Sequence, residues 1–213
     1  MEQMEMNPFS GFERKKDYLV CIDSDGCAMD TMDIKHHRCF GPCMVEEWGL
    51  ENWRDPVLFR WNQVNLYSMT RGINRFKGLA MILAEIDRTY KAVPDVDAFV
   101  RWTGEAPELS NQAVKAQWEL TGKEIFRQAL EWSEEVNRKI GAMPEEAKCA
   151  FDGVREALKA AHETADVAVV SSANKKAVEE EWQRQGLMEY VDVVLSQDAG
   201  SKSACINALL KKG

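Results

Sequence analysis

The stretch Tyr18-Leu19-Val20-Cys21-Ile22-Asp23-Ser24-Asp25-Gly26-Cys27-Ala28-Met29-Asp30-Thr31 constrains the chain more than any other. An apolar run, Leu19 to Ile22, stops at two carboxylates separated by one residue and followed by glycine. So short and unbroken a run predicts a strand buried on both faces, as in a parallel sheet. Residues two apart on a strand share a face, so Asp23 and Asp25 point the same way. At the carboxyl end of a strand, where open α/β sheets bind ligands, they make a negative patch. A cation or a shared proton must offset such a patch. Turn chemistry alone also accounts for Asp, Ser and Gly together. A calcium loop does not, because it needs glycine at the sixth position, between helices, and Gly26 is the fourth after a strand.

The remaining chain sets this strand in an alternating frame. From about Asp30 to Met143 the pattern is helical. Pro42 opens a short helix that closes near Gly49, and Asp55-Pro56 predicts an N-cap with a helix to about Met69. Leu79, Ile82, Leu83, Ile86 and Tyr90 form one stripe, and Ile125, Ala129, Trp132, Val136 and Ile140 form another, stopped by Gly141. Pro94-Asp95 and Ser110 start two more helices. Six of the seven tryptophans (Trp48, Trp53, Trp61, Trp102, Trp118, Trp132) fall in this block and read as its core. After Pro144 the pattern changes. A helix with Val154, Leu158 and Ala161 leads to the apolar run Val167–Val170 and then to Ser171-Ser172. A helix to Gln185 follows, then a strand over 191–195, a polar loop and a last helix near Lys202.

Strand, helical block, then βαβα implies a parallel sheet covered by helices. The block leaves directly after the first strand, at the ligand-binding edge, which suits a lid. The chain has 213 residues, 45% of them hydrophobic, enough for a real core. Its net charge of −8 argues against nucleic-acid binding through phosphate neutralisation. No apolar run approaches the roughly 20 residues of a membrane span. Residues 1–16 read as a polar lead-in, loose or peripheral to the fold. Six scattered cysteines suit reduced thiols in a cytoplasm.

Three strand ends deliver three kinds of group to one rim. Asp23 and Asp25 follow the first strand. Ser171 and Ser172 follow the second, just before a helix N-terminus that favours anions. Lys202, after the third, adds a point charge. A carboxylate can attack phosphorus, and a second one two residues on can move the protons. Carboxylate and phosphate repel, so Mg²⁺ is expected between them.

With these pieces in order, Leu19–Thr31 resembles the first motif of the haloacid dehalogenase-like hydrolase superfamily. Val167–Asn174 resembles its second motif and Gly200-Ser201-Lys202 its third. The resemblance implies an α/β fold: a Rossmann-like parallel-sheet core with an inserted all-helical cap domain. The core would be residues 1–30 and 148–213, and the cap residues 31–147. It implies Asp23 as nucleophile and Asp25 as general acid/base, with Mg²⁺ held by Asp23 and the Asp25 carbonyl. Ser171 and Ser172 would bind the phosphoryl group, and Lys202 would steady nucleophile and phosphoryl alike. The second Asp typifies the phosphatase and mutase branch. The expected activity is hydrolysis of a small phosphorylated metabolite. A sugar-phosphate mutase and a non-catalytic phosphate-binding relative are the alternatives.

The family's fourth motif, an acidic pair at the end of a further strand, is not found after Lys202. The core is therefore expected to be C-terminally incomplete, a fragment or a truncated relative, with Leu19–Ile22 presenting an apolar edge. Two weaker features remain. Arg71 and Arg75, in Thr70–Gly78, are candidate substrate contacts or a solvated turn. Cys27, His36, His37, Cys39 and Cys43 cluster in sequence without the spacing of a common zinc site.

Overall fold

The computed structural model describes residue 9 and residues 12–212; of the expected lead-in, residues 1–8, 10 and 11 lie outside the described residues. The chain divides into two compact units, Met1–Thr31 with Lys148–Gly213, and Met32–Ala147.

The first unit holds a parallel sheet in the order β1-β2-β3 (β1 Tyr18–Ile22, β2 Ala165–Val170, β3 Val193–Leu195). Tyr18 pairs with Ala165 and Ile22 with Val169, and then Ala168 with Val193. Alternation along β2 feeds two cores. Val167 and Val169 pack with Leu158, Val178 and Trp182 from the helices on one face. Ala168 and Val170 pack with Phe12, Cys205 and Leu209 on the other, so Phe12, expected in a loose lead-in, belongs to the core instead. Every residue of β2 is buried. β1 is not, which corrects the expectation of a strand buried on both faces and agrees with the apolar edge expected of Leu19–Ile22. It is the edge of the three strands described; Leu19 to Ile22 are half-buried and Tyr18 is 70% exposed. An apolar run reports a strand's wish to be covered, and position in the sheet decides whether it is.

In the second unit the described elements are helical. They are α1 (Met32–Lys35), a π-helical turn His36–Phe40, α2 (Gly41–Glu47), α3 (Arg54–Asn65), α4 (Arg75–Thr89), α5 (Val96–Glu105), α6 (Asn111–Thr121) and α7 (Glu124–Gly141). The helices α8 (Val154–Thr164), α9 (Lys175–Arg184) and α10 (Lys202–Leu210) belong to the sheet unit. Asn74 caps α4 through the Phe76 N–H, and Ser110 caps α6 through the Ala113 N–H. The expected Asp55 cap of α3 is not made. A 3₁₀ turn, Glu51–Trp53, runs straight into the helix, so Trp53 takes the cap position without a side-chain bond and Asp55 falls in the first turn.

The core of this unit is aromatic, as expected for its tryptophans. Trp61, Trp132, Phe76, Phe99 and Phe126 are fully buried, while Trp53, Trp102 and Trp118 pack partly buried against them. Buried indole N–H groups need partners. Trp61 donates to His36 Nδ1 at 3.1 Å and Trp132 to the Phe40 carbonyl at 3.1 Å.

Between α3 and α4, Arg60 grips Glu85 with two bonds, at 2.7 and 2.8 Å. Hydrogen bonding from the guanidinium holds the Glu85 carboxyl below its ordinary range. A depressed folded value stabilises above the unfolded value and is lost as pH falls through the folded one. The pair is partly exposed, so Glu85→Gln is expected to cost about 0.5 kcal/mol at neutral pH. Urea midpoints of variant and parent should converge as pH falls through the carboxylate range. A gap independent of pH would show that the ion pair is not its source.

Candidate active site

Strand parity decides which side chain meets which helix. Leu19 and Cys21 pack on the face covered by α10, and Ile22 on the face covered by α8 and α9. Continued past the strand end, the same alternation sends Asp23 towards α10 and Ser24 towards α9. Asp23 Oδ2 lies 2.6 Å from Nζ of Lys202, the first residue of α10. Its other oxygen accepts the Ser24 N–H at 2.9 Å. Both side chains of the ion pair stay about one-third exposed, at 34% for Asp23 and 37% for Lys202, so the pair faces solvent while anchored from below.

Past Asp23 the chain folds back on itself. The Ser24 carbonyl accepts the N–H groups of Cys27 and Met29, and Gly26 donates to Met29. Gly26 has φ of 73°, a left-handed conformation that suits glycine. The fold-back carries buried Thr31 beneath Asp25, where its hydroxyl donates to Asp25 Oδ1 at 2.6 Å. Ser24 is fully buried and accepts the Trp182 indole N–H at 2.9 Å.

Because Ile22 pairs with Val169, Asp23 is level with Val170 and Ser171 stands one step beyond. Neighbouring strands lie ~4.8 Å apart. Ser171 Oγ accepts the Ala173 N–H at 3.1 Å, which leaves its hydroxyl proton to be donated. Asn174 caps α9, and the Gln197 N–H bonds the Ala173 carbonyl, tying the loop after β3 to the loop after β2. Ser201 caps α10 through the Ala204 N–H and so fixes the helix start that carries Lys202. Asp23, Lys202 and Ser171 thus share one rim, with Ser172 half-buried in the same loop. Thr31, Ser24 and Trp182 are contributors that strand-end reasoning did not single out. The sequence motif includes Asp30-Thr31 but gives the Thr31 hydroxyl no partner.

Arg71 and Arg75 lie in the helical unit and are engaged there. Arg71 Nη1 donates to the Leu66 carbonyl at 3.0 Å and sits 3.5 Å from Asp33. Arg75 donates to Ser133 Oγ and Asn137 Oδ1 and lies over the Phe40 ring. The cysteine and histidine run is divided between the units: Cys27 is exposed in the sheet unit, whereas Cys39 and Cys43 are buried in the helical one. Burial pushes the Cys43 thiol up to about 11. Among the described residues no group of three His, Cys, Asp or Glu side chains is placed to hold a metal ion.

Magnesium takes hard oxygen donors and keeps several waters, binding through one or two carboxylates plus substrate phosphate. The partly exposed Asp23 carboxylate and the Asp25 main-chain carbonyl are donors of that kind, so this pair fits the ion in chemistry.

Residues 96–212, over half of the chain, match the haloacid dehalogenase-like hydrolase family. The chain belongs to that family, whose general chemistry is that of a phosphoryl-transfer hydrolase. The matched span contains Ser171, Ser172 and Lys202 and begins after Asp23 and Asp25. A search of curated proteins finds no match. Among the described residues no helix is long and apolar enough to cross a membrane.

Proposed function

We propose that the protein hydrolyses a small phosphorylated metabolite by Mg²⁺-dependent phosphoryl transfer, through an aspartyl phosphate on Asp23. The observation that carries this reading is the 2.6 Å pair of Asp23 and Lys202 on the carboxyl rim of a parallel sheet, one strand from Ser171.

A carboxylate oxygen of Asp23 forms a bond to phosphorus while the bond from phosphorus to the leaving oxygen breaks. Asp25 gives that oxygen its proton. It then takes a proton from the water that opens the acyl phosphate, which restores Asp23 and frees inorganic phosphate. The hydrogen bond from Thr31 steadies the Asp25 carboxyl through both transfers. Lys202 offsets the repulsion between Asp23 and the incoming anion. The Ser171 hydroxyl and the N–H groups at the start of α9 bind phosphoryl oxygens, as helix N-termini do. Asp23 and the Asp25 carbonyl would hold Mg²⁺, which when bound supplies positive charge to the phosphoryl oxygens.

The test is chemical trapping. Protein mixed with small phosphomonoesters and Mg²⁺ is quenched with borohydride, which reduces an acyl phosphate to an alcohol. Homoserine at position 23 is the expected product. Phosphate release without that product would remove the covalent intermediate, and no release from any ester would remove the hydrolase reading.

A further inference from the structure

We infer that Trp182 is a positioning residue for the two carboxylates, acting through Ser24; this rests on reading Asp23 and Asp25 as the reacting pair. Ser24 separates them and is fully buried, an unusual place for a hydroxyl without a task. Its Oγ accepts the indole N–H of Trp182 at 2.9 Å, and Trp182 is itself fully buried. The two residues are 158 apart in sequence, so the bond joins separate parts of the unit.

Every other bond of this residue reaches the site. The Ser24 N–H holds Asp23 Oδ1, the oxygen that Lys202 does not take. Its carbonyl accepts from Cys27 and Met29 and so sets the fold-back that brings Thr31 to Asp25. Pinning Ser24 at its side chain therefore fixes the pitch of the backbone on both sides. Trp182 sits on α9, the helix whose start follows Ser171 and Ser172. One rigid element thus serves the phosphoryl-binding loop at its first turn and the carboxylate loop two turns later. An isosteric apolar pair would fill the same space. The hydrogen bond adds direction, because an indole donor accepts only one placement of the hydroxyl.

Trp182→Phe keeps an aromatic ring in the core, at the cost of some packing, and removes the donor. Its kcat for phosphate release is expected to fall about tenfold with KM within about twofold, since misplacement by ~1 Å costs on the order of a hundredfold. Ser24→Ala, which keeps the tryptophan, should give the same split. The double variant should be no slower than either single one, because both act through one bond. A Trp182→Phe protein that melts at lower temperature but keeps the parental kcat would overturn the inference and leave the proposed hydrolysis standing. If the unsubstituted protein releases no phosphate, the proposed hydrolysis is what has failed. The Trp182 indole N–H resonance, identified by its loss in Trp182→Phe, is then followed during titration with inorganic phosphate and Mg²⁺. A shift sustains the coupling between Trp182 and the site, and an unmoved resonance overturns it.

Discussion

Asp23→Asn is expected to bring phosphate release to background, a loss of at least about a thousandfold, while the protein stays folded. An amide nitrogen is no nucleophile at phosphorus, and loss of a covalent nucleophile is among the largest single-residue effects known. The substitution is close to isosteric. Asparagine can still accept the Ser24 N–H through its carbonyl oxygen, so the loop keeps its internal bond. What disappears is the ion pair to Lys202, and since both side chains are about one-third exposed its contribution to stability is at most about 1 kcal/mol. Activity and melting temperature should therefore separate cleanly. Asp25→Asn is the informative companion: the acyl phosphate should still form with a good leaving group but open slowly, because the group that takes the proton from water is gone. An Asp23→Asn protein with parental turnover would end the aspartyl-phosphate reading, whatever the substrate.

The second large effect lies in the helical unit. Trp132→Ala is expected to unfold it under conditions where the parent is stable. Trp132 is fully buried, with ring centroids 5.9 Å from Phe40, 5.9 Å from Trp61 and 6.2 Å from Phe76. Truncating a buried aromatic side chain to alanine costs about 3–5 kcal/mol. The Phe40 carbonyl also loses its indole donor, which adds roughly 1–3 kcal/mol if no other donor replaces it. A whole domain holds only about 5–15 kcal/mol. Six of the seven tryptophans belong to this unit, so denaturation followed by indole fluorescence reports mainly on it. Trp132→Phe keeps most of the ring and should cost far less. A Trp132→Ala midpoint within about 1 kcal/mol of the parent would mean that the aromatic cluster is not what holds these helices together.

Which features could be read before folding follows from their physical range. The stripes of α4 and α7 are local, and the structure has both helices. Ser110 could be recognised as a cap because its bond spans three residues. The start of α3 differs from the expected Asp55 cap because a 3₁₀ turn upstream has already wound the chain. β3 was expected over 191–195 and begins at Val193. Asp192 instead turns its carboxylate to the Val167 N–H, and its own N–H bonds the Val167 carbonyl. The site divides in the same way. Asp23, Asp25, Ser171 and Lys202 each follow an apolar run or open a helix, and such endings are visible in a sequence. The bond from Trp182 to Ser24 depends on which face of β1 lies under α9, and nothing near either residue announces it. The edge position of β1 is expected only through the absent fourth motif of the family resemblance; the residues themselves do not announce it, since four apolar residues look alike in the middle of a sheet and at its margin.

The alternation that divides Asp23 from Ser24 also makes the site a proofreading device for strand register. If β1 slid by one residue against β2, odd and even positions would exchange faces. Ser24 would then meet the start of α10, and a carboxylate would be driven in among the apolar side chains beneath α9. Such a chain would lose its lysine partner and bury a charge in the same stroke. A misthreaded sheet would thus be not a slow enzyme but an unstable fold. Molecules that pass the test of folding carry the carboxylate already aimed.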